Sequence, residues 1–489
     1  MSLAQRIFPT VNILARVSGM FSLWILLPIA VAWFGNDDGL FPFIISLASL
    51  LLCSMALAIL THGYKREMKA RDGFVLVVGL WTVLPAVSAL PLLLFNPSLS
   101  FTHAYFETMS ALTTTGATVL TGLDQLPPSI NLWRHLLNWL GGMGIIVLAV
   151  AILPMLGVGG LQLFKAETPG PIKDAKLTPR IRETARNLWM VYAGLTLACI
   201  LLLKFVGGMS WLDAVCHAFA AMCLGGFSTH DASVGYFNSP IIEAILIIFM
   251  LLAATNFATH YVALSGRKLS TYLKDSEFKA MLLLILISTL GCAAYLVQQN
   301  TYTDYLTSLR HVAFNLVSIA TDSGFASVDF GMWPIFVPLL MLFLSCITAC
   351  SGSTGGGIKM IRTLIMMRES NRQMSSLLHP SAVHPLRVNG MAIPNQIIFA
   401  VMGFVFLYAM SIVGLTFLLL LTGLDFLSSF TAVIACINNA GPGLGVVGPA
   451  SNYGVLSDIQ IWICNFAMLL GRLEVFSLLI LFTRAFWKS

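Results

Sequence analysis

The sequence contains little charge. Only 10% of its 489 residues are Asp, Glu, Lys or Arg, and 57% are hydrophobic, whereas soluble domains average about 25% charged residues. A water-soluble protein of this length needs more charged side chains to cover its surface. This shortage excludes a cytosolic enzyme, a nucleic-acid-binding protein and a disordered chain. The apolar runs are long and continuous rather than alternating, so the sequence predicts an all-α polytopic membrane protein.

Patterns typical of metal, disulfide and catalytic sites are also missing. The nine cysteines lie within apolar runs and form no CxxC pair, so neither a disulfide framework nor a zinc site is expected. The sequence has no HExxH motif, no paired carboxylates at helical spacing and no nucleophile elbow. We therefore expect neither an enzyme nor a bound cofactor. An intramembrane enzyme is the alternative from another class, and it would use histidines that lie near apolar runs: His217, His230, His260 and His311.

Ten apolar runs are long enough to cross a bilayer core, which takes about 20 residues. They are residues 12–33, 41–60, 73–95, 138–160, 187–206, 241–264, 281–297, 333–349, 396–422 and 459–486. The sequence therefore predicts ten transmembrane spans.

The basic residues predict the orientation of these spans. Of the 27 Lys and Arg residues, 23 fall in segments 1–16, 62–72, 165–186, 265–280, 358–394 and the C-terminal tail. Because positive residues are retained on the cytoplasmic side, both termini are expected in the cytoplasm. Eleven acidic residues fall on the other side, among them Glu107, Asp124, Asp213, Asp231 and Asp322. An acidic outer face would concentrate cations, although ordinary loop solvation explains any single carboxylate equally well.

Four of the outer connections repeat one pattern. Each contains an apolar run of 10–12 residues, too short to span, which stops at a polar element that contains glycine. The four elements end in SALTTTGAT, MCLGGFST, IATDSGFAS and INNAGPG, and their glycines Gly116, Gly226, Gly324 and Gly441 are 110, 98 and 117 residues apart. A period near 110 indicates four repeats of a span, a short pore helix, an extended loop and a second span.

The predicted repeat has a specific consequence for ions. A helix that stops inside the membrane directs its negative dipole end toward the membrane centre. Extended backbone at that depth is tolerated only where it is buried in protein or lines a water-filled cavity. Four such loops around a pseudo-fourfold axis would form a ring of carbonyl oxygens that replaces the hydration shell of a cation.

These four loops resemble those of the Trk/Ktr/HKT superfamily of cation transporters, and most closely the TrkH-type membrane subunits of bacterial Trk potassium uptake systems. The resemblance covers essentially the whole chain, including two additional N-terminal spans. In that family one glycine per repeat is associated with K⁺ preference, and serine in place of the first glycine with Na⁺ preference. All four glycines are present, which implies K⁺ uptake, with a Na⁺ or mixed-cation pathway as the alternative. Pro442 directly follows the fourth glycine, so the fourth loop departs from the others.

The resemblance also implies where K⁺ would bind. The ligands would be backbone carbonyls of the residues just before each glycine, namely Thr114, Thr115, Leu224, Gly225, Asp322, Ser323, Asn439 and Ala440. The Asp322 carboxylate is either an additional ligand or a brace that accepts hydrogen bonds from loop amides.

A glycine-rich stretch follows the eighth span. Gly352, Gly355, Gly356 and Gly357 are accompanied by three hydroxyl residues, and this composition does not continue a stable helix. The spacing is not that of a phosphate-binding loop. It is either an ordinary helix C-cap or, as in the resembling family, an intramembrane gate loop. In the second case we expect Gly356→Ala, or deletion of 352–356, to change flux but not ion selectivity.

Arg472 lies in the middle of the last apolar run. An arginine at membrane depth is costly and is by default a functional residue. It is not expected to pair with Glu474, because residues two apart diverge on a helix. It is either half of an interhelical salt bridge, for which Glu243 is a candidate, or an electrostatic barrier below the filter, where the family also has an arginine.

The chain is expected to depend on partners for regulation. Its largest predicted inner segments, 165–186 and 358–394, are too short for a nucleotide-binding domain. The resemblance implies a homodimer in the inner membrane that binds a separate TrkA-type nucleotide-binding subunit. The predicted organisation is 1–70 for the two N-terminal spans and 71–164, 165–265, 266–380 and 381–489 for four pore repeats.

Overall fold

A computed structural model describes residues 3–64, 70–147, 177–380 and 385–487, and these residues fold almost entirely into helices. The long helices are Leu3–Ser22, continued through a 3₁₀ turn by Leu26–Gly35; Leu40–Leu60; Ala70–Ser88, continued by Leu90–Phe95; Pro128–Val147; Leu177–Phe205; Ser276–Gln298; and Asn395–Leu421. Within the described residues, six helices are long and apolar enough to cross a membrane, or eight if each of two bent helix pairs is one span.

Four shorter helices correspond to the four predicted apolar runs. They are Phe101–Leu112, Trp211–Cys223, Tyr305–Ala320 and Phe426–Asn438, called short helices 1 to 4 below. Each begins at a Ser or Asp whose side chain accepts a hydrogen bond from a backbone N–H in the first turn: Ser100, Ser210, Asp304 and Asp425. This N-cap compensates donors that would otherwise lack partners. The start of each short helix is thus fixed by local sequence.

The remaining described elements connect these two sets. They are the helices Pro240–Ala253, Phe257–Gly266, Ser270–Lys274, Phe336–Ser345, Met360–Leu378, Asp458–Arg472, Phe476–Leu479 and Arg484–Trp487, several 3₁₀ turns, and one hairpin. The hairpin pairs Arg387–Val388 with Met391–Ala392 in antiparallel register.

The predicted span 241–264 is wrong as a continuous helix. The chain bends by 97° between Pro240–Ala253 and Phe257–Gly266. The break is stabilised from outside the helix, because the carbonyl of Ala254 accepts from the N–H of Cys350 at 3.0 Å. Asn256 caps the second helix by accepting from the N–H of Ala258. Neither Pro nor Gly marks the bend in the sequence. Hydropathy alone therefore predicted one continuous helix.

The predicted span 459–486 is also wrong as one helix. It bends by 111° after Arg472, where Glu474 and Val475 both have positive φ values, of 52° and 50°. The Glu474 carboxylate accepts from the Arg362 guanidinium at 2.6 Å. This ion pair holds the strained corner of the chain against helix Met360–Leu378.

Two other predicted spans need adjustment. The run 333–349 contains an α-helix only at Phe336–Ser345, and turns follow it at residues 346–347, before the first glycine at Gly352. The run 138–160 begins ten residues earlier, in helix Pro128–Val147. Its continuation at 148–160, and residues 165–176 of the predicted inner segment 165–186, lie outside the described residues.

Three charged residues that lie outside the predicted inner segments are buried. Glu107, Arg134 and Asp322 are 0%, 1% and 0% exposed. Glu107 lies on short helix 1 and pairs with Arg134 of Pro128–Val147 at 2.8 Å. Since a buried charge needs a partner, this pair is a structural element rather than part of a cation-attracting surface.

Candidate functional site

The four loops that follow the short helices share one backbone conformation. Each short helix ends at a left-handed residue; these are Thr114, Leu224, Asp322 and Asn439, with φ values of 55°, 55°, 68° and 57°. The next residue in each loop donates its N–H to the carbonyl five positions earlier, at 2.7–2.9 Å: Thr115 to Ser110, Gly225 to Ala220, Ser323 to Ser318 and Ala440 to Ala435. This is the C-terminal capping geometry that turns a chain sharply out of a helix. The repeat inferred from sequence spacing therefore has a matching backbone conformation in all four loops.

The glycine of each loop contacts the next loop in the set. Gly116, Gly226, Gly324 and Gly441 have φ values of 80°, 61°, 89° and 89°, a region that only glycine adopts readily. A Cβ atom on Gly116 would clash with the carbonyl oxygen of Gly225, and one on Gly226 with that of Ser323. Built on Gly324 it would lie 2.6 Å from the carbonyl oxygen of Ala440, and on Gly441 2.8 Å from that of Thr115.

These contacts close a ring in the order of loops 1, 2, 3 and 4. The ring brings together the carbonyls of Thr115, Gly225, Ser323 and Ala440, four of the eight residues predicted as ligands. The other four, Thr114, Leu224, Asp322 and Asn439, occupy the equivalent left-handed positions. The carbonyl of Gly225 also accepts from the Asn138 side chain at 3.2 Å. Ion binding by these eight carbonyls stays a prediction.

A half-open cavity of about 90 Å³ lies on one side of the ring and is lined by all four glycines. At its wall, His230 bridges Asp124 and Asp213, and Asp231 accepts from the N–H groups of Gly122 and Leu123. Burial by itself would raise the pKa of Asp124, but hydrogen bonds from His230 and from the N–H of Asp231 outweigh it and lower the pKa. Asp124 is therefore anionic at neutral pH, and it ties loops 1 and 2 together.

The glycine-rich segment, residues 346–359, packs against the other side of the ring, at the C-terminal ends of the short helices. The N–H of Gly356 donates to the Asp322 carboxylate at 3.0 Å, and Thr354 donates to the carbonyl of Met222 at 3.3 Å. A Cβ on Gly356 would clash with the carbonyl oxygen of Asn438. The segment thus touches short helices 2 and 4 and loop 3.

Each of the other three predicted gate glycines is packed closely against a different group. A Cβ on Gly352 would lie 2.9 Å from the Asn256 side chain, one on Gly355 2.7 Å from the Ala349 side chain, and one on Gly357 2.7 Å from the carbonyl of Cys346. One of the two alternatives for the Asp322 carboxylate was a brace that accepts from loop amides; the amide that donates to it is that of Gly356 in the glycine-rich segment. Its second carboxylate oxygen, Oδ1, has no hydrogen-bond partner among the described residues.

Arg472 lies directly behind this segment. Its guanidinium donates to the carbonyl of Thr354 at 3.3 Å and to that of Gly141 at 2.9 Å, and the residue is 2% exposed. Arg472 is the last residue of helix Asp458–Arg472 and lies at the 111° bend, not in the middle of a helix. The two carboxylates considered as partners are engaged elsewhere, Glu243 with Arg310 at 2.7 Å and Glu474 with Arg362. Arg472 therefore binds backbone carbonyls.

Three residues at this site escaped the sequence analysis. Gly141 and Gly471 pack so closely on the carbonyls of Leu112 and Ile437 that a Cβ on either would clash. Glu277, 4% exposed, accepts from the N–H of Ser351 at 2.8 Å. The sequence does show small residues within apolar helices and a carboxylate at the start of a span. It does not show which backbone groups these residues contact.

Two of the histidines named in the sequence analysis have partners within the fold. Both ring nitrogens of His217 are engaged, with the carbonyl of Asp213 at 2.8 Å and the Ser228 hydroxyl at 3.0 Å. His311 stacks on Tyr302. Among the described residues, no group of three or more His, Cys, Asp or Glu side chains has a metal-binding arrangement.

Comparison with known proteins identifies the family of this chain. The family model named TrkH, described as cation transport protein, matches residues 40–489. The chain belongs to the TrkH family. A TrkH-family relative, the Trk system potassium uptake protein TrkH of Vibrio parahaemolyticus, is 45% identical over 98% of this chain and 99% of its own. The protein of the same name from Escherichia coli K12 is 48% identical over 87% of this chain and 88% of its own.

A solved TrkH structure has the same fold. The crystal structure of the potassium transporter TrkH from Vibrio parahaemolyticus superposes with a TM-score of 0.90 at 42% identity and covers 100% of both chains. The chain is thus a helical polytopic membrane protein of the TrkH family, which is a transporter family.

Proposed function

We propose that this chain is the ion-conducting subunit of a K⁺ uptake system in the bacterial inner membrane. The observation that carries the proposal is the closed ring of four glycine loops, in which each loop contributes a carbonyl next to the preceding loop's glycine. Relatives at 45% and 48% identity are named potassium uptake proteins, which supports K⁺ as the ion.

In this proposal the eight carbonyls of Thr114, Thr115, Leu224, Gly225, Asp322, Ser323, Asn439 and Ala440 form the filter and replace the hydration shell of the ion. The cavity lined by the four glycines is the outer entrance. The chain would cross the membrane ten times, with two N-terminal spans in residues 1–70 and pore repeats in 71–164, 165–265, 266–380 and 381–489. Both termini would be cytoplasmic.

The glycine-rich segment 346–359 would act as the gate and Arg472 as its anchor. Their positions support this, because the carbonyl of Thr354 accepts from Arg472, while the Thr354 hydroxyl donates to short helix 2 and the Gly356 N–H donates to Asp322 in loop 3. The chain would work as a homodimer with a separate TrkA-type nucleotide-binding subunit, and the names of its relatives refer to a Trk system. The transported K⁺ would be its only ligand, with no bound cofactor.

Uptake by the purified protein tests the proposal. In proteoliposomes we expect ⁸⁶Rb⁺ uptake that K⁺ inhibits at much lower concentrations than Na⁺ does. Equal inhibition by the two ions would favour the second candidate, a Na⁺ or mixed monovalent cation transporter of the same architecture. Absence of protein-dependent uptake, with the protein folded and inserted, would contradict the proposed function.

The gate assignment predicts a change in rate without a change in selectivity. Gly356 is not suited to this test, because its substitution would push on the carbonyl of Asn438 in short helix 4. Gly352 has a φ of 70° and faces Asn256 rather than the ring. We expect Gly352→Ala to change ⁸⁶Rb⁺ flux several-fold, since alanine in this conformation costs about 1–2 kcal/mol. The ratio of K⁺ to Na⁺ inhibition should stay at the wild-type value.

The matched control is Gly390→Ala in the hairpin, because Gly390 has a φ of 80° and open space around it. It applies the same backbone strain away from the ring. Wild-type flux in Gly352→Ala, or an equal change in both variants, would contradict a gating role for the segment.

A further inference from the structure

One polar side chain on each short helix supports the loop beyond its glycine. In repeats 1, 2 and 3 this residue lies nine positions before the glycine: Glu107, His217 and Asn315. All three are 0% exposed. In repeat 4 that position is Ala432, and the preceding residue, Thr431, takes over the contact. A buried polar side chain at this position, or at the one before it, in all four short helices indicates a common task.

In three repeats the contact is to the same backbone group, the N–H three residues after the glycine. Val119 donates to the Glu107 carboxylate at 3.0 Å, Ser327 to the Asn315 amide oxygen at 3.1 Å, and Leu444 to the Thr431 hydroxyl at 2.9 Å. These residues all follow the glycine by three positions. An unpaired N–H at such a buried position would be costly, so the side chain fixes where the loop runs.

In repeat 2 the short helix holds its loop through a side chain of the loop rather than through a backbone N–H. The Ser228 hydroxyl, two residues after Gly226, contacts His217 Nε2 at 3.0 Å, while Nδ1 of the ring faces the carbonyl of Asp213. Because a carbonyl only accepts, Nδ1 carries the proton and the Ser228 hydroxyl donates to Nε2 of the neutral ring. Arg134, the ion-pair partner of Glu107, lies over the Phe227 ring at 4.5 Å and so links the supports of loops 1 and 2.

We propose that Glu107, His217, Asn315 and Thr431 are positioning residues that set the ion selectivity of the ring, and we call them the buttress residues. They touch no predicted ion ligand. The buttress residue holds the end of each loop that lies beyond the glycine, and the capping turn holds the end that follows the short helix. The direction of the carbonyls between these two ends therefore depends on both supports. This inference rests on the proposed filter and goes further by assigning selectivity to side chains behind it.

The cleanest test is Thr431→Val, because valine has nearly the same shape and lacks only the hydroxyl that accepts from Leu444. Its matched control is Thr108→Val. Thr108 is also a buried threonine on a short helix, but its hydroxyl donates to the carbonyls of Pro85 and Ala104 and touches no loop. We expect Thr431→Val to lower the preference for K⁺ over Na⁺ in ⁸⁶Rb⁺ competition by roughly three- to tenfold, the effect of about one lost hydrogen bond. Thr108→Val should keep the wild-type preference.

A second pair tests repeat 3. Asn315→Ala removes the acceptor for Ser327, whereas Asn315→Asp retains a side-chain oxygen for that N–H. We expect the preference to fall in the first variant and to recover at least partly in the second. Folding is checked by elution as a monodisperse peak, and if Asn315→Ala does not fold, the near-isosteric Thr431→Val decides the matter.

The outcomes separate this inference from the proposed function. Wild-type protein without K⁺-preferring uptake would overturn the filter proposal itself. Selective wild-type protein together with an unchanged preference in Thr431→Val would overturn only the buttress assignment. An equal loss of preference in Thr108→Val would do the same, because the effect would then be general packing.

Discussion

Serine at position 116 should remove most of the preference for K⁺ over Na⁺. Gly116 has a φ of 80°, and a Cβ there would clash with the carbonyl oxygen of Gly225 in the next loop. A non-glycine residue in this region costs about 1–2 kcal/mol before any overlap is counted. Because a backbone carbonyl cannot move aside as the tip of a side chain does, loop 2 has to shift. We expect Gly116→Ser to reduce the K⁺/Na⁺ preference at least about tenfold, measured by ⁸⁶Rb⁺ uptake with competing Na⁺.

The chain offers a matched control six residues away. Gly122 has a φ of 70° with open space around it, so Gly122→Ser applies the same substitution and nearly the same backbone strain without a neighbour. Its selectivity should be that of the wild type. If Gly116→Ser keeps its preference for K⁺ while folding normally, the ring is not the selectivity filter.

Replacement of Arg472 by alanine should raise K⁺ flux. The guanidinium is 2% exposed and donates to the carbonyls of Thr354 in the glycine-rich segment and Gly141 in the neighbouring helix. Alanine removes both the anchor of the proposed gate and a positive charge that repels cations at low dielectric. We expect a flux increase of about tenfold, equivalent to about 1.4 kcal/mol, measured as initial ⁸⁶Rb⁺ uptake without any partner subunit.

Arg472→Lys separates the two contributions. Lysine keeps the positive charge but not the fork of donors that reaches two carbonyls. If charge repulsion limits the flux, the lysine variant should behave as the wild type, whereas loss of the anchor should raise its flux toward that of the alanine variant. A folded Arg472→Ala protein with reduced uptake would contradict both roles.

Much of this architecture could be predicted from local patterns. Apolar runs give the long helices because backbone groups in a bilayer must pair within their own helix. Ser and Asp caps mark where the short helices begin, and the spacing of Gly116, Gly226, Gly324 and Gly441 gives the four loops, since each needs a residue that tolerates positive φ. These features depend on a few consecutive residues. They can therefore be predicted without knowing which distant segments pack around them.

The contacts between distant segments could not be predicted in this way. The bend after Ala253 has no Pro or Gly signal, and it exists because Cys350 donates to the carbonyl of Ala254. Glu107 and Arg134 look like outer-loop charges in the sequence, yet they form a buried pair. Arg472 looked like a salt-bridge candidate, but carbonyls from two other segments bind it.

The sequence by itself determined that this is a membrane protein with four glycine loops, because low charge, long apolar runs and spacing are properties of the chain alone. The tertiary structure decided the order of the ring, the partners of the buried charges and the placement of the glycine-rich segment against loop 3 through Asp322 and Gly356. Each of these depends on groups far apart in sequence, and a buried polar group takes whichever partner packing brings within about 3 Å.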